Sequence, residues 1–344
     1  MANQTTDSRD ALYLIQCITI PLSTAIILAN LLIIIGIVCN QRLHNTTNYF
    51  FLSLLVADLL TGVALPYIPK MSLERELDFH TCLLVHIFPN FLFLSFLFNL
   101  VMVHYERYLC IIYPLHYKHF WAHRFFPLAL LAVWLPPLLY ASLPAFGWNN
   151  RKAIAIGNIT NCSHNEMLEG AGGDCSTNRT WGKECSYKDV FPHAFIYLEV
   201  YGLLTPAICS IVFMTVRVLW IAREQLRDIC KLHRAVQRDH PSEQEHRLNI
   251  RYVRCVVAVS LTFLVCWVPY IIYMHVSIIA LSQDEKDKDP STYIILSCTG
   301  IGSMAIIPAI LGLGNRQYTE PVMNVCGKLR DRCRESKDTE DLTL

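Results

Sequence analysis

Apolar residues along this chain come in blocks of about twenty or more, parted by short polar runs. Seven such blocks can be marked: Leu12–Cys39, Tyr49–Met71, Cys82–Tyr113, Phe125–Trp148, Val190–Ala222, Tyr252–Leu281 and Ser291–Leu313. A helix of roughly 20 residues crosses about 30 Å of hydrocarbon, so each block predicts a membrane-spanning helix. The expected fold class is an all-α membrane protein, a seven-transmembrane helix bundle. After Leu313 an amphipathic run to about Arg334 predicts a short helix on the membrane surface, with Cys326 and Cys333 as candidates for palmitoylation. The chain then divides into an N-terminal segment 1–11, a membrane domain 12–313, a surface helix 314–334 and a tail 335–344. No charged leader with a cleavage site precedes the first block, so no removable signal peptide is expected.

Composition agrees. The chain is 53% hydrophobic and 17% charged, where a soluble protein is about a quarter charged. A net charge of +1 gives no reason to expect nucleic acid as a partner. The lipid bilayer is the first partner implied. With the N-terminus outside, 19 Lys and Arg fall on the inner side and 10 on the outer, as orientation by inner positive charge requires. Sequons at Asn3, Asn158, Asn161 and Asn178 then lie outside as glycosylation candidates. Asn45-Thr46-Thr47 faces the cytosol and stays bare. Four cysteines, Cys82, Cys162, Cys175 and Cys185, also lie outside, enough for two disulfides in an oxidising space.

Polar residues inside the blocks carry the chemistry. Asn30 reads as an interhelical hydrogen-bond bridge. Asp58 is a carboxylate in mid-membrane, costly to bury and so a candidate for conformational switching, or else a protonated tie between helices. Arg107 is a permanently charged fork at the inner edge, with Glu106 beside it to hold a local pair. Pro269 removes a backbone hydrogen bond and kinks the sixth block near the bulky Trp267. A kinked helix can swing its inner end outward and open a cleft for a partner. A transporter would show repeats or paired broken helices, and an intramembrane enzyme a converging catalytic set. Neither pattern is present, and no metal or cofactor site is suggested.

The ordered set Asn30, Leu54-Leu55-Val56-Ala57-Asp58, Cys82, Glu106-Arg107-Tyr108, Pro114-Leu115, Trp134, Pro206, Phe263 and Cys266-Trp267-Val268-Pro269-Tyr270 resembles the rhodopsin-like (class A) G protein-coupled receptors. The resemblance implies a plasma-membrane, multi-pass receptor with an extracellular N-terminus. It places coupling and activation on Asp58, Glu106, Arg107, Tyr108, Pro114, Leu115, Phe263, Trp267 and Pro269. It also implies a Cys82–Cys185 disulfide, which leaves Cys162 and Cys175 for a second pair. The seventh block departs from the family: Ile307-Pro308-Ala309-Ile310-Leu311 lacks the usual Asn and Tyr, and Met214 stands where the fifth span usually has a Tyr. Of the polar partners that the family sets around a sodium ion near Asp58, Ser303 remains, but Phe96 stands where a Ser is usual, so sodium is not expected to bind.

Within that family, LLVHIFPNF, ASLPAFGWN, YLEVYGLLTPA, QLRDICKLHRAV and PAILGLGNRQYTEP are similar to the bile acid receptors. This implies a bile acid or related steroid ligand, the heterotrimeric stimulatory G protein and a cyclic AMP output. Arrestin is a further partner of the family, although the tail offers only Ser336, Thr339 and Thr343 for phosphorylation. Polar ligand contacts carried over are Asn90, Glu199, Tyr270 and Ser277, with His86 where these receptors have a Tyr. A steroid needs an apolar groove with a few placed hydrogen-bond groups, and Phe91, Leu94, Phe195, Ile196, Trp267 and Tyr270 are candidates to line it. A class A receptor for another lipid acid or a peptide is the alternative, since the segment 149–189 is longer than steroid binding demands.

Overall fold

The computed structural model describes the backbone of residues 2–67, 79–113, 126–150, 191–235, 242–281 and 290–314, with Tyr318 and Met323, and the side chains of most of these. Among the described residues there are seven helical rods. They are α1 Ala2–Cys39, α2 Thr46–Ala64, α3 Phe79–Ile112, α4 Phe126–Ser142, α5, α6 Ser242–Leu281 and α7 Pro290–Gly314. The rod α5 has three stretches: His193–Tyr197, a π-helical Leu198–Leu204, and Thr205–Ala235. Six rods carry an apolar stretch long enough to cross a membrane, and α7 carries the shorter Ile295–Ile310.

The blocks Cys82–Tyr113 and Ser291–Leu313 match their helices within a few residues at both ends, as does Phe125–Trp148 once the 3-10 turn Leu143–Phe146 is added to α4. The others differ: α2 ends at Ala64 where its block ran to Met71, α5 runs on to Ala235 beyond Ala222, α6 begins at Ser242 ahead of Tyr252, and α1 begins at Ala2, not near Leu12, so the segment expected as a separate N-terminus is helical. Once an apolar block has nucleated a helix, adding polar residues to its end costs little, and apolar periodicity cannot see that extension. The surface helix expected over 314–334 lies outside the described residues, apart from its first residue, Tyr318 and Met323. So do the sequons at Asn158, Asn161 and Asn178, and the side chain of Asn3.

Local rules explain the ends and the irregular turns. Asn45 caps α2: its backbone is extended and its side-chain oxygen accepts the Asn48 N–H at 2.9 Å. The sequon residue Asn45 therefore has a structural task on the inner side. Pro206 explains the wide turn in α5, because it has no N–H to give Gly202 and its ring crowds that carbonyl. Thr205 repairs part of the loss, donating both its N–H and its hydroxyl to Val200 O.

The rods close into a ring. Each of α1, α2 and α3 packs on its successor, α3 also packs on α5, and α5, α6 and α7 follow in turn until α7 meets α1. The shared core includes Leu54, Phe96, Leu97, Leu100, Phe263, Trp267 and Ile307. Polar ties cross it. Asn30 Nδ2 donates to Met304 O on α7 at 3.0 Å, the bridge expected of it. Trp134 Nε1 donates to Ser53 Oγ at 2.9 Å, and Ser53 donates to Asn99 Oδ1 at 2.6 Å, joining α4, α2 and α3. On the inner side Tyr318 hydroxyl donates to Asn48 Oδ1 at 2.8 Å, and its carbonyl lies so near Gly36 that a Cβ there would overlap it.

One such bond in a membrane is worth about 0.6–2 kcal/mol. Trp134→Phe keeps the ring and loses the donor, so thermal unfolding of the purified protein should show a lower midpoint by that equivalent. An unaltered midpoint would mean that the indole contributes by packing alone.

Candidate functional site

Outer half: a polar pair above an aromatic floor

Cys82 lies in the first turn of α3 and is disulfide-bonded. Cys185, Cys162 and Cys175 are outside the described residues. Eight residues deeper on α3, about 12 Å along the helix, Asn90 points across to α5. Its Nδ2 donates to Glu199 Oε2 at 3.0 Å. Asn90 is buried, and its own oxygen has no hydrogen-bond partner among the described residues. Glu199 reaches that position from the π-helical stretch, whose extra residue per turn sets the register of the carboxylate.

One turn below Asn90 on the same face of α3, Phe93 meets Trp267 with ring centroids 4.9 Å apart. Trp267 is also in ring contact with Phe96, Phe263 and Tyr270, the last edge-on at 5.7 Å. Its indole N–H donates to Ser303 Oγ on α7 at 3.0 Å. Ser303 is thus engaged with the indole. Space for that indole comes from Gly300, where a Cβ would stand 2.8 Å from the ring.

Four other residues expected to line the groove have these neighbours. Phe91 packs on Trp134 of α4 at 6.2 Å; it is one residue, or about 100° of helix, off the face that carries Asn90 and Phe93. Leu94 is wholly buried. Phe195 is buried between Tyr140 and Phe191, with ring stacking at 4.6 and 4.8 Å. Ile196 joins the same outer cluster with Cys82 and Val200. The sequence reading passed over Phe93, for which the three-residue spacing from Asn90 was the available signal. His86 places Nδ1 2.8 Å from Cys82 O. A carbonyl only accepts, so that nitrogen carries the proton. The side chain of Ser277 is outside the described residues.

Inner half: a desolvated ion pair

Arg107 lies seventeen residues below Asn90, about 26 Å along α3. Its Nε is 3.6 Å from Glu106 Oε2, and both side chains are buried. Glu106 Oε1 accepts from the hydroxyl of Thr47 on α2 and from the thiol of Cys110 at 3.3 Å. The guanidinium also lies over the Phe51 ring at 4.8 Å. Stranding either ion at this burial costs roughly 3–5 kcal/mol, so release of Arg107 requires a replacement partner. Tyr108 is in ring contact with Phe213 of α5. Pro114 and Leu115 are outside the described residues.

Asp58 is fully buried, and neither carboxylate oxygen has a hydrogen-bond partner among the described residues. Phe263 is buried against Phe96, and Pro269 interrupts the backbone of α6.

Relatives

Residues 29–310 match the family model described as 7 transmembrane receptor (rhodopsin family). The chain is 40% identical over 305 residues to the G-protein coupled bile acid receptor 1 of Homo sapiens, covering 88% of this chain and 82% of that one. The Rattus norvegicus receptor of the same name is 38% identical over 308 residues, covering 89% and 83%. More distantly, the adenosine receptor A2b of Bos taurus is 27% identical over 266 residues, covering 76% and 74%.

The close approach at Gly300 makes a test with an internal control. Gly300→Ala should cost about 1–3 kcal/mol through overpacking against the indole, whereas Gly302→Ala, with nothing within 4 Å of its Cβ, should cost nothing of that kind. Thermal midpoints of the two purified variants make the comparison, and equal midpoints would remove the steric role of Gly300.

Proposed function

We propose a function for a chain that belongs to the rhodopsin family of seven-transmembrane receptors: it is a cell-surface receptor for bile acids or related steroids that activates the stimulatory G protein and raises cyclic AMP. The observation that carries this reading is the Asn90–Glu199 pair set one turn above the Phe93–Trp267–Tyr270 floor. It stands beside 40% identity to a receptor whose name specifies bile acids.

A bile steroid is rigid, with one apolar face and one hydroxylated face. An aromatic floor suits the first, and an amide–carboxylate pair suits the second. A ring hydroxyl can donate to Asn90 Oδ1, which is buried without a partner among the described residues, and another can reach Glu199. A ligand carboxylate next to Glu199 would bring two like charges together. The ligand's acid therefore points away, toward His86 or the extracellular mouth. His86 in place of the Tyr of bile acid receptors favours a conjugated acid or a bile alcohol.

Signal passes through Trp267, which touches α3 and is hydrogen-bonded to α7. Ligand contact with Trp267 or Tyr270 shifts the packing above the Pro269 kink. The inner part of α6 then swings outward, and Arg107 exchanges Glu106 for a G protein group. The N-terminus lies outside in this scheme, Pro114 and Leu115 serve the same inner coupling face, and arrestin reads a tail with few phosphorylation sites.

The direct test is cyclic AMP in transfected cells exposed to a panel of bile acids, bile alcohols and other steroids. A response to at least one class is expected, and silence across the panel with receptor present at the surface would overturn the ligand assignment. Asn90→Ala and Glu199→Ala should each weaken the effective steroid's potency by about ten- to a hundredfold, the weight of a hydrogen bond to a charged or buried polar group. Unchanged potency in both would move the steroid away from this pair.

A further inference from the structure

A buried polar chain in the inner half takes no part in the site described above. His104 on α3 places Nδ1 2.8 Å from Leu100 O and Nε2 2.6 Å from Ser260 Oγ on α6. Ser260 Oγ is 2.9 Å from Thr215 Oγ1 on α5, which also lies 2.7 Å from Ile211 O. All three side chains are buried, with exposures of 2%, 0% and 6%. One hydroxyl therefore joins three helices.

Counting protons ranks the joints. Leu100 O can only accept, so His104 Nδ1 carries a hydrogen. In the neutral ring Nε2 is then an acceptor, and Ser260 donates to it. Thr215 has one proton for two oxygens, the carbonyl of its own helix and Ser260 Oγ. The α5–α6 joint shares Thr215's proton with the backbone, and the α3–α6 joint is the shorter of the two, 2.6 Å against 2.9 Å.

Its position gives it leverage. Ser260 is nine residues on the cytosolic side of Pro269, about 14 Å along α6. A swing of roughly 4° about that kink moves it by about 1 Å, which carries a 2.6 Å contact past the ~3.5 Å limit of a hydrogen bond. His104 is three residues above Arg107, about 4.5 Å along α3. The joint therefore opposes the first few degrees of any outward motion, directly above the guanidinium. Once it is broken, His104 Nε2 sits in an interior without water to receive it.

We infer that the His104–Ser260 bond is a latch that holds α6 against α3 and sets the receptor's activity in the absence of ligand. The inference rests on the reading of α6 as the moving rod. It does not depend on which ligand occupies the outer half.

The test uses full-length receptor in lipid nanodiscs, spin-labelled at the cytosolic ends of α3 and α6, together with ligand-free cyclic AMP per receptor at the cell surface. Ser260→Ala should raise the outward-swung population about threefold without ligand, the weight of one interhelical bond in a membrane. His104→Leu should do the same, and the double variant should add nothing to either. Thr215→Val should have a smaller effect, and Ser260→Thr should restore the parental distance distribution. An unshifted distance distribution in Ser260→Ala overturns the latch, as do additive effects of the two single changes. Where His104→Leu does not reach the surface, Ser260→Ala decides alone, since it removes a single oxygen. A shifted distance in a receptor that answers no steroid leaves the latch standing and overturns the ligand assignment.

Discussion

Hydrocarbon offers no hydrogen bonds, so a polar side chain carried into it is costly unless it bonds to its own helix or to a neighbouring one. That constraint organises this bundle more than apolar packing does, because lipid tails are as apolar as leucine and do not force helices together. Ser53 illustrates it: one hydroxyl accepts from Trp134 and donates to Asn99, fixing three rods at a single point. Asn30 does the same between α1 and α7, and Trp267 between α6 and α7. Asp58 is the exception among these side chains. Its two oxygens are buried without hydrogen-bond partners among the described residues.

The outer and inner halves of α3 answer different needs with the same geometry. Asn90 and Phe93 share one face because three residues nearly complete a turn, and that face looks toward α5 and α6. Farther down, His104 continues the contact with α6 and Arg107 turns to Glu106. A single helix thus places Asn90 and Arg107 about 26 Å apart. The sixth rod, which touches it through Ser260 and Trp267, carries Pro269 within its helix.

The rods were readable from the sequence because span length is a property of the bilayer, and every block holds a helix, whereas the polar extensions of the first, fifth and sixth rods carry no apolar signal. The polar pair in the outer half was also readable, since Asn90 and Glu199 stand out among apolar neighbours. The lining was harder to read. Phe91 and Phe93 are chemically identical, and only helical phase separates a residue on Trp134 from one on Trp267. His104, Ser260 and Thr215 each look ordinary in their own span, and their meaning arises only when three distant segments meet.

The contact of Tyr318 with Asn48 and with the backbone beside Gly36 has a mechanical consequence. It rivets a residue just beyond the last rod to the first two, so at this end of the bundle those two rods share one fixed jamb, as in a door frame.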